Sequence, residues 1–502
     1  MHRTSCSIAV ALLLLAGASS AQVRDPLPNV EKKGIAVEVR NVVRLPDTRG
    51  LRPISEDVNP SGWARVSFVI DAPDGRRFAN DSRGQLYIVS GDKTSLYADV
   101  AAAFPYAFYG RLESGFIGFA FHPEFAKNGL FYTVHLERVA GNPGKLNFIP
   151  PGFAPKDVTF HNVITEWHAT DPKANTFAGT RRELLRTAHV VTNSSHPLGF
   201  VGFNPTAKPG SPDYGLLYTS GSDFGFSNGG GPNSSNAFAT QRLDSIVTAI
   251  LRFDPRSPSE THGTKGLGDY TVPAINKFAA DNDPNTLGEI YAYGLRNTHR
   301  ISWDTDGTMF GSDIGMSNIE EINIIHEGQN YGWMAREGTF ENGRWRGGDL
   351  DQVFALPEDV RNGKNKDAYT YPVAMFDHGD GVAVSAGFAY HGKIEQLQGK
   401  FVFGDVNRGR IFVADVAAMK AADDGIPATV APVEEVQLYV TDGSGRRVYT
   451  SFRELVEGTM GKSLSRTDLH ISQSKDGELF LTSRQDGMIR MLVPDSGGGR
   501  KR

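Results

Sequence analysis

The chain has 502 residues, of which 39% are hydrophobic and 22% charged, an ordinary globular composition that suits several domains or one large β architecture. Its 57 acidic residues slightly exceed its 52 basic ones. This mild negative balance argues against nucleic acid as a partner and provides no basic patch for a membrane surface.

The first 21 residues have the pattern of a secretory signal peptide. Arg3 gives a short basic start, residues 8–17 form an apolar run, and small residues lead to a cut after Ala21. The apolar run falls short of the ~20 residues needed to span a bilayer, which disfavours the alternative of a membrane anchor. We expect a secreted or periplasmic protein without membrane insertion. The only cysteine, Cys6, lies in this segment, so the mature chain would have neither disulfides nor thiolate metal sites.

A short unit recurs along the chain: a turn residue and a glycine are followed by four or five apolar residues. Glycine allows the positive φ of a tight turn, and the apolar run is typical of a buried inner strand. We therefore predict an all-β fold, a six-bladed β-propeller of four-stranded antiparallel blades over residues 22–494, followed by a disordered tail at 495–502. The glycines of the six units are Gly84, Gly129, Gly215, Gly307, Gly399 and Gly477.

Longer motifs follow one another in a fixed order through most of the chain. They comprise residues 115–125, 250–254, 270–273, 289–297, 313–315, 320–323, 330–333, 376–390 and 404–405. Together they resemble the soluble glucose/aldose/sorbosone dehydrogenase family, six-bladed propellers that bind pyrroloquinoline quinone (PQQ) and calcium. The resemblance implies a sugar dehydrogenase that oxidises the anomeric alcohol of a sugar and passes electrons to an external acceptor.

The resemblance implies that His196 and Arg296 are catalytic. His196 matches the family's base, and histidine is the side chain whose pKa best suits removal of a hydroxyl proton. In residues 195–199, which carry this match, the family usually has two glycines after the histidine, but here Leu198 replaces the first. Arg296 and Asn297 match the pair that contacts the quinone oxygens, where a guanidinium can stabilise growing negative charge.

The resemblance also assigns a calcium site and substrate contacts. Backbone carbonyls of Gly315 and Met316 match the calcium ligands, and Met316 replaces a proline there. His378 and Trp333 are candidates for contact with the sugar. We expect the neighbouring Glu320 to lie on a surface hairpin.

The sequence departs from the family where the quinone carboxylates would bind. Asn407 stands in place of a lysine, and one of two arginines near the C-terminus is absent, while Arg466 is displaced by one position. Because a tricarboxylate needs several cations to offset its desolvation, Arg408, Arg410 and Arg466 are the candidate substitutes.

These departures keep two other functions open. A propeller that has lost the quinone could cleave glycans as a lyase or hydrolase, with His196 reused as the base. It could instead bind carbohydrate without catalysis, in which case replacing His196 would leave ligand affinity unchanged.

Overall fold

The computed structural model describes residues 22–23, 25–48, 62–106, 114–190, 195–225, 240–281, 283–346 and 348–495. The predicted signal peptide, residues 1–21, lies outside these ranges, as does all but the first residue of the predicted tail. No helix within them is long and apolar enough to cross a membrane.

Strands make up most of the regular structure. In the first half of the chain they are β1 (Gln22–Val23), β2 (Lys32–Arg44), β3 (Val66–Asp71), β4 (Arg77–Asp81), β5 (Gln85–Ser90), β6 (Lys93–Asp99), β7 (Phe116–Phe121), β8 (Leu130–Arg138), β9 (Phe160–Ala169), β10 (Gly179–His189), β11 (Phe200–Phe203), β12 (Leu217–Ser220) and β13 (Ala249–Phe253). In the second half they are β14 (Thr264–Lys265), β15 (Thr271–Val272), β16 (Ile290–Tyr293), β17 (Thr298–Trp303), β18 (Met309–Asp313), β19 (Ile319–Ile324), β20 (Arg336–Glu337), β21 (Phe340–Asn342), β22 (Val353–Ala355), β23 (Ala374–Asp377), β24 (Phe388–Ala389), β25 (Lys400–Gly404), β26 (Ile411–Asp415), β27 (Val433–Asp442), β28 (Gly445–Tyr449), β29 (Leu469–Gln473), β30 (Leu479–Ser483) and β31 (Met488–Val493).

The helices are short. The α-helices are α1 (Phe125–Asn128), α2 (Pro258–Thr261), α3 (Glu358–Arg361), α4 (Val416–Ala421) and α5 (Phe452–Met460). Single 3-10 turns occupy Val100–Ala103, Pro155–Asp157, Lys277–Ala279, Gly343–Arg346 and Glu395–Leu397. α5 begins where the Ser451 side chain accepts a hydrogen bond from the Glu454 amide, and it ends at Gly461, which has a left-handed conformation.

Most strands pair antiparallel with their neighbours in sequence, as four-stranded sheets. Four such sheets have the orders β3-β4-β5-β6, β7-β8-β9-β10, β11-β12-β13-β16 and β17-β18-β19-β23. The six repeated glycines all have positive φ, between 66° and 112°. The runs that follow them become β5, β8, β12, β18, β25 and β30, each an interior strand of its sheet. This confirms the predicted role of the repeat.

A nine-stranded sheet joins the two ends of the chain. Its order is β24-β25-β26-β27-β2-β31-β30-β29, with β28 added beside β27. β2 pairs parallel with β27 through Val37 and Leu438, and antiparallel with β31 through Val39 and Leu492. These four side chains are buried in one apolar cluster. Burial of that cluster fixes β2 between β27 and β31, two strands that lie some 400 residues later in the chain.

The first strands of the sheets contact one another around a common axis. β3 contacts β7, β7 contacts β11, β11 contacts β17, β17 contacts β24, and β29 contacts β3. Sheets arranged radially about their first strands form a β-propeller. In this architecture the first strands run in one direction, so the residues that precede β11, β17 and β29 lie at the same end of the axis.

Candidate active site

His196 lies in the loop that precedes β11, at this end of the axis. Its backbone has a left-handed conformation, with φ of +55°, which is unfavourable for a residue with a Cβ by roughly 1 kcal/mol. The hydroxyl of Ser222 donates a hydrogen bond to the His196 carbonyl and holds the turn. The side chain is only 8% exposed. The fold therefore fixes both the backbone and the ring of His196.

Asp223 orients the imidazole of His196. The distance between His196 Nδ1 and Asp223 Oδ1 is 2.6 Å, and the carboxylate is completely buried. The amide of Gly225 also donates to Oδ1, at 2.9 Å, and Arg296 Nε lies 3.7 Å from Oδ2. A carboxylate that accepts the proton of Nδ1 leaves Nε2 as the basic nitrogen and stabilises the imidazolium ion. This is the arrangement of a general base with its orienting group.

Arg296 and Asn297 immediately precede β17 and are held by Asp313. The two oxygens of the Asp313 carboxylate accept the backbone amides of Arg296 at 2.9 Å and Asn297 at 2.8 Å. The Arg296 guanidinium donates to the carbonyl of Ile314 at 3.0 Å, and its carbon lies 5.5 Å from the centre of the Trp333 ring. Asp313 thus positions the residues that the resemblance assigns to the quinone.

Two buried donors lie beside Arg296 without a hydrogen-bond partner in the described part of the chain. They are Nδ2 of Asn297 and Nε1 of Trp333. Buried donors are normally satisfied, so this pair indicates a ligand that offers acceptor oxygens. Together with the guanidinium of Arg296, these donors fit the carbonyl oxygens of a quinone.

Trp333 is only 3% exposed, and Arg296 lies against its ring. Contact of a sugar with the face of the Trp333 ring, which would satisfy the predicted substrate role, therefore does not fit this arrangement. Its indole N–H remains a candidate donor to a ligand that also contacts Arg296.

A calcium ion does not fit at Gly315 and Met316. The carbonyl of Gly315 already accepts a hydrogen bond from the Arg296 guanidinium, and the Met316 sulfur lies 3.2 Å from the same group. A cation and a guanidinium would compete for one carbonyl, and their charges would repel. We therefore correct the calcium assignment of these two residues.

Asn407 and Arg466 come from two loops that meet. The Thr467 amide donates to the Asn407 carbonyl at 3.0 Å, and the Arg466 guanidinium bonds to Asp468. Two polar groups here, the amide oxygen of Asn407 and the hydroxyl of Thr467, are buried without a partner in the described ranges. Arg466 and Thr467 precede β29, so these loops lie at the same end of the axis as Arg296.

The other two predicted cofactor arginines differ in their partners. Arg408 donates to backbone carbonyls, at 2.9 Å to His378, and contacts no carboxylate through its guanidinium in the described structure. Arg410 is held by Asp380 at 2.5 Å and Glu435 at 2.6 Å. Two carboxylates more than neutralise this guanidinium, so Arg410 does not fit the role of a cofactor cation. This assignment is also corrected.

His378 is hydrogen-bonded to Glu320, for which a position on the surface was predicted. Its Nε2 lies 2.9 Å from Glu320 Oε1, and Glu320 is completely buried rather than on a surface hairpin. Burial lowers the pKa of His378, but the hydrogen bond and charge of Glu320 outweigh it and raise that pKa above its usual value. His378 remains partly exposed and therefore stays a candidate for contact with substrate.

Residues 267–434 match the family described as Glucose / Sorbosone dehydrogenase. The resemblance predicted from the motifs is confirmed. Of the site residues, Arg296, Asn297, Trp333, His378, Asn407, Arg408 and Arg410 lie inside the part that matches the glucose/sorbosone dehydrogenase family. His196, Asp223 and Arg466 lie outside it.

Two curated relatives are proteins of Arabidopsis thaliana. The HIPL1 protein is 26% identical over 370 residues, which cover 68% of this chain and 48% of the relative. The HIPL2 protein is 27% identical over 330 residues, covering 60% of this chain and 43% of the relative. The matches span about half the length of these relatives.

Solved structures with a similar fold include sugar dehydrogenases. The soluble aldose sugar dehydrogenase of Escherichia coli, in its apo-form, has a TM-score of 0.56 and 17% identity, covering 86% of this chain and 97% of that one. The PQQ-bound aldose sugar dehydrogenase of Streptomyces coelicolor has a TM-score of 0.50 and 17% identity, covering 90% and 96%. At this identity the comparison concerns the fold.

Asp313, which accepts the Arg296 amide, and Glu321 form a pair of buried carboxyl groups. Asp313 and Glu321 are directly opposite each other on β18 and β19. Burial raises the pKa of Asp313 to about 7. Burial and the charge of Asp313 raise the pKa of Glu321 to about 8. The folded protein therefore retains protons here that an unfolded chain releases near pH 4 to 5.

We expect the stability of the protein to fall as the pH rises from about 5 to 8, because the unfolded chain binds fewer protons in this window. Glu321→Gln should reduce this slope by up to about 1.4 kcal/mol per pH unit. Urea unfolding at several pH values measures the effect, with exposed Glu395→Gln as the control. Equal slopes in all three proteins would contradict the raised pKa of Glu321.

Proposed function

We propose that this chain is a sugar dehydrogenase that oxidises the anomeric alcohol of a sugar, with His196 as the general base. The contact of 2.6 Å between His196 and buried Asp223, at the end of the axis where Arg296 also lies, carries the proposal. The match to the glucose/sorbosone dehydrogenase family supports it. The substrate is a small sugar, and an external acceptor takes the electrons.

His196 Nε2 removes the hydroxyl proton of the sugar, and Asp223 stabilises the resulting imidazolium ion. PQQ, when bound, supplies the group that accepts the hydride. Arg296, Asn297 and Trp333 would hold its carbonyl oxygens, and Arg408 and Arg466 are the cations that remain for its carboxylates. Arg296 is placed to stabilise negative charge that develops as the sugar is oxidised.

We infer that the sheets form six blades within one domain over residues 22–494. In this interpretation the nine-stranded sheet comprises two blades, β24-β25-β26-β27 and β29-β30-β31-β2, joined by the parallel pairing of β2 with β27. β2 would then complete the last blade and close the ring. We further propose that residues 1–21 are a cleaved signal peptide and that the protein is secreted or periplasmic.

Titration of the purified, metal-stripped protein with PQQ, followed by dye reduction with a panel of aldoses, tests the proposed function. We expect saturable binding and sugar-dependent reduction of the dye. Absence of quinone binding at micromolar concentration, both with and without added calcium, would contradict the dehydrogenase proposal and favour glycan cleavage or carbohydrate binding.

The same titration with added calcium tests the geometry at Gly315. Because its carbonyl bonds to Arg296, we expect added calcium to leave quinone affinity unchanged. A strict calcium requirement that Met316→Pro strengthens would contradict this assignment of the Gly315 carbonyl.

A further inference from the structure

The first strands of the propeller enclose a small cavity on the axis, which we call the axial cavity. It is lined by Phe68, Ile117, Pro197, Gly199, Asn297, His299, Arg300 and Arg484. These residues come from or adjoin β3, β7, β11, β17 and β30, so the cavity touches five strands from different parts of the chain. Its volume of about 10 Å³ suits one occupant the size of a water molecule.

Arg300 presents unsatisfied donors in this cavity. The residue is only 6% exposed, and its Nε and Nη2 have no hydrogen-bond partner in the described part of the chain. Its guanidinium packs against the Phe68 ring, a contact that supplies no acceptor lone pair. A buried charged group without acceptors is costly, so an occupant that accepts these N–H groups would stabilise the fold.

The charged groups around Arg300 are basic. Burial and the charge of nearby Arg484 lower the pKa of Arg300 well below its usual value. His299 Nε2 lies 3.4 Å from His470 Nδ1, and the two rings are stacked. Burial, Arg484, His299 and Arg300 lower the pKa of His470 well below its usual value. The described carboxylates form no ion pair with Arg300, although they pair with Arg410 and Arg466.

We propose that the axial cavity binds a monovalent inorganic anion the size of a halide ion, between Arg300 and Arg484. The anion accepts hydrogen bonds from Nε and Nη2 of Arg300 and offsets the repulsion between the two guanidinium groups. The small cavity excludes a carboxylate-bearing metabolite. Because Arg300 lies in β17 and Arg484 follows β30, the bound anion links two strands that are far apart in the sequence. Binding of the anion in the axial cavity is independent of the oxidation of sugars.

Thermal unfolding of the mature protein in halide-free sodium gluconate, at constant ionic strength, tests the proposal. Replacing gluconate with chloride or bromide should raise the Tm saturably by roughly 3 °C. Arg300→Met should abolish this halide response without lowering the Tm in gluconate, because it removes an uncompensated buried charge. Exposed Arg256→Met is the matched control and should retain the response.

Anomalous diffraction from wild-type crystals grown with bromide gives a second measurement, which does not require the variant to fold. A bromide peak between Arg300 and Arg484 would support the proposal. A cavity occupied only by water, or an equal Tm in gluconate and in both halides, would overturn it.

Discussion

His196→Asn should lower kcat for sugar oxidation by about 10²- to 10⁴-fold, the contribution expected of a positioned general base. Asparagine retains much of the side chain's shape and can still donate to Asp223, but it cannot accept the substrate proton at neutral pH. PQQ affinity should stay within about threefold of wild type, because His196 is not among the residues assigned to the cofactor. Steady-state dye reduction and a quinone titration measure the two quantities separately.

His391→Asn is a matched control for this substitution. His391 Nε2 lies 2.7 Å from Asp304 Oδ1, so His391 is also paired with an aspartate, although through its other ring nitrogen and with a more exposed side chain. The pair lies where β17 and β24 end, away from the loop that carries His196. His391→Asn should therefore keep wild-type kcat. Equal losses in the two variants, at matched Tm, would contradict a catalytic role for His196.

The strands of the propeller were largely predictable because their determinants are local. Positive φ at Gly84 or Gly307 is a property of one turn, and the apolar run that follows specifies a buried strand. The position of β2 was not predictable in this way. Its partners, Leu438 and Leu492, lie some 400 residues away, and its register depends on closure of the whole ring.

In the active site, too, the residues marked by a local motif were predictable, and those brought together from distant parts of the sequence were not. The motif around His196 indicates a candidate base, but its partner Asp223 lies 27 residues later in the chain and was not predicted. A glycine–serine–aspartate turn after a buried strand was the available signal for that partner. The neutralisation of Arg410 by Asp380 and Glu435 had no such signal, because three segments of the fold bring these charges together.

Arg296→Lys should lower kcat by about 10²- to 10³-fold, similar to the loss of one preorganised donor to a developing negative charge. The Arg296 guanidinium spans the carbonyls of Ile314 and Gly315 on one side and Asp223 on the other. Lysine keeps the charge but lacks the planar fork, so it cannot hold these groups in one plane. We also expect weaker PQQ binding, because a lysine ammonium lacks the fork of donors that the guanidinium presents beside the orphan donors of Asn297 and Trp333.

Arg252→Lys separates this effect from a general loss of buried arginine geometry. Arg252 is similarly buried but lies on β13, in the sheet β11-β12-β13-β16, where it bonds to Asn276 at 2.7 Å and Glu327 at 2.6 Å. Its replacement should lower the Tm while leaving kcat and PQQ affinity per folded molecule unchanged. If both variants lose kcat in proportion to their loss of Tm, Arg296 stabilises the fold and takes no part in catalysis. A loss of kcat confined to Arg296→Lys, at a Tm equal to that of Arg252→Lys, places the guanidinium in the reaction.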